Sequence, residues 1–202
     1  MSNIIYTKEF LAPPIDRREA QRYAGASTEN EESARILDEC IDIAKNSFVY
    51  KVCYREFAIC EDSGMLDLGF CSIKSETLKK NLLGCERIIL FAATVGFEID
   101  RLVARYLPLS PAKAAMLDAL GSERVEALCD AFAGEVKKDA KERGFISRPR
   151  VSAGYGDIPL SMQRDMFAFL DCNRKIGISL GENLLMSPSK SVTAIIGLQE
   201  KI

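Results

Sequence analysis

Three features of this 202-residue sequence predict an α+β fold. Residues 48–57 are rich in aromatic and β-branched side chains, and 85–95 form a continuous apolar run of the kind carried by a strand buried on both faces. A helical period runs from 111 to 143. The strand and helix segments intermix without the strict alternation that a doubly wound parallel sheet requires.

The elements follow in order. Residues 16–24 read as a short helix, with Asp16 as cap and Gly25 as stop. Across 30–45, Ala34, Leu37, Ile41 and Ala44 recur at helical spacing, giving an amphipathic helix. The strand at 48–57 comes next, then a short strand bracketed by Gly64 and Gly69, and a helix at 75–83 opened by Ser75. The run Cys85-Glu-Arg-Ile-Ile-Leu-Phe-Ala-Ala-Thr-Val95 is the buried strand, ended by Gly96, and 97–106 form a helix closed by Pro108. Ser110 and Pro111 sit where a cap and first helical residue belong. Leu117, Leu120, Val125, Leu128, Phe132 and Val136 then recur at steps of three to five, as one helix or as two broken near Gly121-Ser122. Met162, Met166, Phe167 and Leu170 mark a helix over 160–170. The pieces 176–186 and 191–198, on either side of Pro188, read as a strand pair at the end of the sheet.

Composition excludes several chemistries. Net charge is −2, so no global field draws the chain to nucleic acid or an anionic membrane. No apolar run reaches membrane-spanning length and the start lacks a signal core, so a cytoplasmic protein is expected. There is no histidine, which removes Ser-His and Cys-His nucleophile pairs, most catalytic zinc sites and the commonest general base. The seven cysteines form no Cys-x-x-Cys pair and several lie in apolar patterns, so they read as small buried hydrophobes; no metal site is expected. Neither a Gly-x-Gly-x-x-Gly turn after a strand nor a Walker A motif is present, so nucleotide-phosphate cradles and phosphoryl transfer have no support.

The densest chemistry lies in Arg148-Pro-Arg-Val-Ser-Ala-Gly-Tyr-Gly-Asp-Ile-Pro159. Two prolines and two glycines forbid a regular helix or central strand there, so the segment is an irregular loop with exposed amides, fixed positive charge and one aromatic face. Such a loop suits a small anionic or zwitterionic ligand; it also suits a surface loop around a buried tyrosine. Arg150 could grip a carboxylate through two parallel hydrogen bonds, or pair with a nearby Asp or Glu, and Arg148 has the same two options. Gly154 allows close approach to a ligand, whereas Gly156 reads as plain turn chemistry. Tyr155 offers a hydroxyl and a ring. On the preceding helix Glu123, Glu126 and Asp130 share a face. Glu123 and Glu126 read as solvated, while Asp130, set in Ala127-Leu-Cys-Asp-Ala-Phe132, needs a partner such as a bound cation or Arg150.

Four pieces occur in a familiar order: Arg150-x-x-x-Gly154-Tyr155, Pro159-Leu-Ser-Met-Gln163, Phe167-x-x-Leu170-Asp171, and the tail from Ile176-Gly-Ile-Ser to Met186-Ser-Pro188 and Val192. With the helix Arg124-Val-Glu-Ala-Leu-Cys-Asp-Ala-Phe132 they resemble the C-terminal activation domain of cobalamin-dependent methionine synthase, over about residues 85–199. The resemblance implies a twisted, mainly antiparallel sheet flanked by helices, with 85–202 as the activation-domain-like core and 1–84 as an N-terminal part of the same domain. It implies a domain that binds S-adenosylmethionine and packs over a corrinoid-binding partner. There, an electron from a flavodoxin-like donor and the methyl group of S-adenosylmethionine restore methylcobalamin after accidental oxidation. Arg150, Gly154 and Tyr155 take the positions of the family's ligand-lining residues, Asp130 that of its helix acid, and Val151, Ser152 and Ala153 would present backbone to the ligand.

The departures are specific. Gly156 stands where the family has proline, Gly181-Glu-Asn183 replaces Thr-Glu-Ser, and the family's N-terminal acid for the ribose has no match. The corrinoid motif Asp-x-His-x-x-Gly is absent with histidine, so a detached activation domain is expected, accessory to a corrinoid methyltransferase. Two rivals are a non-catalytic module that caps a corrinoid protein without binding S-adenosylmethionine, and a small-molecule methyltransferase unrelated to cobalt.

Overall fold

The computed structural model describes residues 4–27 and 30–201. A five-stranded sheet organises the molecule, in the order β1-β2-β6-β10-β7, with every neighbouring pair antiparallel. Its strands are β1 (Tyr6–Glu9), β2 (Lys51–Ala58), β6 (Arg87–Thr94), β7 (Phe145–Ser147) and β10 (Ser191–Glu200). This is the α+β architecture the sequence predicts, and it draws strands from both sides of residue 84.

The apolar run at 85–95 becomes the central strand because both its faces are covered. Ile89, Phe91, Ala93 and Val95 enter one hydrophobic cluster and Ile88, Leu90 and Ala92 the other, the period-2 split of a strand between two layers. The first layer holds α1 (Arg17–Tyr23), α2 (Glu31–Ala44), α4 (Glu98–Tyr106) and α5 (Pro111–Glu142). The second holds α3 (Glu76–Asn81), α6 (Gln163–Leu170) and α7 (Cys172–Ile176), with a small sheet of β3 (Cys60–Asp62), β4 (Met65–Asp67) and β5 (Ser72–Ile73). Each fully buried Leu, Ile or Phe in these layers contributes roughly 1.5–3 kcal/mol.

The caps are where the sequence puts them. Asp16, Ser75 and Ser110 each accept a backbone N–H from the first turn of their helices, and Pro111 opens α5. α5 runs unbroken through Gly121-Ser122. A Cβ at Gly121 would come within 3.0 Å of both Ile99 and Lys190, so glycine is there for close packing and not to end the helix.

Three expectations need correction. Residues 176–186 do not form a strand paired with 191–198: α7 ends at Ile176, and β8 (Ser179–Leu180) pairs only with β9 (Met186–Ser187) in a two-stranded ribbon. β10 lies instead between β6 and β7. Gly177 at φ +75° and Leu184 at φ +64° turn the chain before an extended run can form. Cysteine burial holds for Cys40, Cys53, Cys129 and Cys172, but Cys60 is exposed on β3. All seven thiols are free, and burial raises those of Cys40 to about 11 and of Cys71 and Cys129 to about 12. Among the described residues no helix is long and apolar enough to cross a membrane, and no cluster of acidic, cysteine or histidine side chains could hold a metal ion.

Candidate functional site

The loop that follows β7 is irregular, as its prolines and glycines require, but it is anchored along its length. Val151 forms a β-bridge with Ile195, donating at 3.0 Å and accepting at 2.9 Å, which extends the β7 edge past Pro149. Val151 is buried and its main-chain groups are both taken, so the backbone left to face a ligand is that of Ser152 and Ala153. Their N–H groups have no acceptor among the described residues.

The helix α3 splints the loop from one side. Asp157 places its carboxylate at the N-terminus of α3, accepting from Ser75 Oγ at 2.6 Å, Glu76 N–H at 2.7 Å and Thr77 N–H at 3.1 Å. The Ser75 and Thr77 hydroxyls, then the backbone N–H groups, hold this carboxyl well below the usual carboxylate range. At the other end of α3, Asn81 Nδ2 donates to the Pro149 carbonyl at 3.3 Å and Arg148 Nη2 donates to the Leu83 carbonyl at 2.9 Å. Arg148 is therefore a tether. Gly156 is more than turn chemistry: its φ is +60°, and a Cβ there would sit 2.4 Å from Thr77 Oγ1. Tyr155, at the tip, is 68% exposed, so neither its ring nor its hydroxyl is packed into the core.

From the other side α5 meets Arg150, whose Nη2 donates to Glu126 at 2.5 Å and to Asp130 at 3.1 Å. Arg150 is thus Asp130's partner, but at 74% exposure Asp130 does not require one, contrary to its apolar sequence context. The carboxylate placement on α5 otherwise reverses the sequence expectation. Asp130 is exposed, Glu126 is paired, and Glu123, expected to be solvated, is buried. Glu123 is buried because the segment 10–16 crosses α5 above it. Arg124, itself buried, binds Glu123 through Nε and Nη2 at 2.5 Å each and donates to the carbonyls of Pro13 at 2.6 Å and Pro14 at 2.7 Å. The Asp16 N–H completes the clamp at 2.9 Å from Glu123 Oε1.

These contacts border two clefts, and Arg150 links them: it lines the first and pairs with Glu126 and Asp130, which line the second. One, of about 640 Å³, has Thr77, Lys80 and Asn81 of α3 on one wall and Pro149, Arg150, Val151, Ser152 and Tyr155 on the other; among the described residues its lining has two cations and no carboxylate. The second, of about 460 Å³, lies between the N-terminal strap 10–16 with α1 (Pro13, Pro14, Asp16, Glu19, Tyr23) and α5 (Glu123, Glu126, Ala127, Asp130, Ala131); among the described residues its lining has five carboxylates and no cation. Burial first, and then the Glu126 carboxylate, push the Tyr23 phenol above its usual value. The site is electrically bipolar.

A family model described as vitamin B12-dependent methionine synthase, activation domain, matches residues 70–201. The chain belongs to that family. The crystal structure of the MetH reactivation domain bound to AdoHcy superposes with a TM-score of 0.69 at 15% identity, covering 96% of this chain and 78% of that one, which is agreement in fold. No curated protein sequence matches the chain. The activation-domain match begins at residue 70, so it takes in α3 as well as the loop and α5. Within this family member, sequence reasoning missed Thr77, Asn81, Asp157 and Lys80 around the loop, and it read Glu126 as solvated where the structure pairs it with Arg150. No local motif marks them, because each enters through a contact that spans some 20 to 80 positions or through the shape of the cleft.

Proposed function

We propose that this chain binds S-adenosylmethionine at the loop 150–155 and supports reductive remethylation of the cobalamin held by a corrinoid-dependent methyltransferase such as methionine synthase. The charge arrangement at Arg150 carries this reading. S-Adenosylmethionine has an anionic carboxylate at one end of its amino-acid head, with an ammonium and a sulfonium close by. A basic cleft lined by Arg150, with an acidic cleft lined by the two carboxylates that Arg150 pairs with, matches that order of charges. The family membership and the AdoHcy seen in the related MetH domain point the same way.

In this reading Arg150 takes the carboxylate with guanidinium N–H groups other than the Nη2 committed to Glu126 and Asp130. Asp130 and Glu126 face the positive charges. Ser152 and Ala153 offer N–H donors, Val151 holds the strand edge, Gly154 at φ +85° lets the chain double back, and the exposed Tyr155 gives a ring for the adenosine or for the docked partner. S-Adenosylmethionine supplies a methyl group on a leaving group that needs no proton, so a site without histidine is adequate; the residues position the donor and exclude water. The methyl acceptor would be cobalt on a corrinoid-binding partner, with the electron coming from a flavodoxin-like donor.

Isothermal titration tests the binding. Micromolar affinity for S-adenosylmethionine is expected, weakened at least about tenfold in Arg150→Ala, the loss of roughly one charge-assisted hydrogen bond. No heat at millimolar ligand would sink the proposal. The reactivation role is tested by restoration of methylcobalamin on an oxidised corrinoid partner in the presence of a reductant.

A further inference from the structure

The cations around the loop are not equivalent. Arg148 spends its side chain on the Leu83 carbonyl at 2.9 Å. Arg150 has Nη2 committed to Glu126 and Asp130, which leaves its other guanidinium N–H groups for a ligand. On α3, Lys79 pairs with Glu61 at 2.5 Å. Lys80 differs. It borders the basic cleft opposite Arg150 and Tyr155, is exposed, and makes no ion pair among the described residues. Among the described residues no carboxylate lines that cleft.

The helix that carries Lys80 is also held in place. The carboxylate of Asp157 seizes the first turn of α3, Asn81 binds Pro149 and Arg148 binds Leu83, so helix and loop are tied at both ends of the cleft. A flexible lysine on a splinted helix, facing a cleft without a counter-charge, is suited to a ligand anion as a point charge.

We infer that Lys80 is a second cationic contact for the ligand's carboxylate, working with Arg150 across the cleft and selecting amino-acid-bearing adenosyl sulfonium compounds over those that lack the carboxylate. This rests on the reading that the loop binds S-adenosylmethionine. It adds α3 as a wall of the site and gives the carboxylate the basic side, with the ammonium and sulfonium directed toward α5.

Titration of two ligands against three forms of the chain tests it. The ligands are S-adenosylmethionine and its decarboxylated analogue, which keeps the sulfonium, the amine and the adenosine. Lys80→Met is expected to weaken S-adenosylmethionine about fivefold at low salt, the range of one partly screened ion pair, and less at high salt. The decarboxylated analogue should bind both forms equally, Lys80→Arg should keep most of the affinity, and the melting temperature should not move. Equal binding of S-adenosylmethionine by the parent chain and Lys80→Met overturns the assignment while leaving the binding reading intact, as does an equal loss for both ligands. If the parent chain binds neither ligand, the reading of the site and the role of Lys80 fall together.

Discussion

Replacing Arg124 by methionine tests how the N-terminal strap is held. The guanidinium makes four hydrogen bonds, two to the Glu123 carboxylate and one each to the carbonyls of Pro13 and Pro14. The side chains of Arg124 and Glu123 are 1% and 4% exposed, so water cannot take over these partners without the strap opening. Methionine fills much of the volume but leaves a buried carboxylate with only the Asp16 N–H and two carbonyls with no donor. Breaking one side of such a pair costs about 3–5 kcal/mol. For a chain of this length a loss of about 4 kcal/mol corresponds to a fall of roughly 8–16 °C in the melting temperature. The assay is urea unfolding followed by circular dichroism, with the slope unchanged so that the midpoint reports stability alone. The double variant Glu123→Leu/Arg124→Met removes the stranded charge and should recover only part of the loss, because the Pro13 and Pro14 carbonyls stay unpaired. A single variant within about 1 kcal/mol of the parent would refute the reasoning, since it would mean that the carboxylate and carbonyls reach water in the native state.

Two further outcomes concern the loop. The folded pKa of Asp157 is depressed, so its contribution is present above the unfolded carboxyl value of about 3.9 and lost as the pH falls through the folded value. Hydrogen exchange at the Glu76 and Thr77 amides should therefore stay slow from neutral pH down to about pH 4, whereas Asp157→Asn should speed it throughout that range. Gly156→Ala combines a φ of +60° with a Cβ placed 2.4 Å from Thr77 Oγ1. It should destabilise the chain by about 1–2 kcal/mol or more, and adding Thr77→Ala should relieve the steric part but not the backbone part, as read from urea midpoints.

What could be read from the sequence divides along a physical line. Elements whose signal is local were legible: the caps Asp16, Ser75 and Ser110, the helical period of α5, and the two-sided burial of β6. Elements that exist only because a partner strand is nearby were not. The exposed four-residue β1 has no apolar face of its own, and β7 is three residues long. Both depend on β2 and β10 for their hydrogen bonds. The tail failed for a related reason: 176–186 is apolar enough for a strand, but two left-handed turns at Gly177 and Leu184 divide it.

The same line runs through the site, and it explains why the helix acids were ranked in the wrong order. Periodicity assigns a face to each carboxylate of α5 but does not say what covers that face. Asp130 sits among apolar neighbours in sequence, yet those neighbours point into the core while its own side chain is exposed. Glu123 looked solvated until the proline-rich strap is laid over it, and Arg124 satisfies two proline carbonyls of the strap where it lies there. Burying that pair has a consequence for the candidate site. The strap brings Asp16, Glu19 and Tyr23 to the acidic cleft, opposite Glu126 and Asp130, and so supplies from the N-terminus acidic groups for which the sequence shows no motif. The buried ion pair is then less a source of stability than a means of specifying one path for the strap, since a hydrophobic substitute would hold it without fixing where Asp16 lands. On this argument Arg124→Met should lower ligand affinity as well as stability, and Glu123→Leu/Arg124→Met, which regains part of the stability, should not regain affinity.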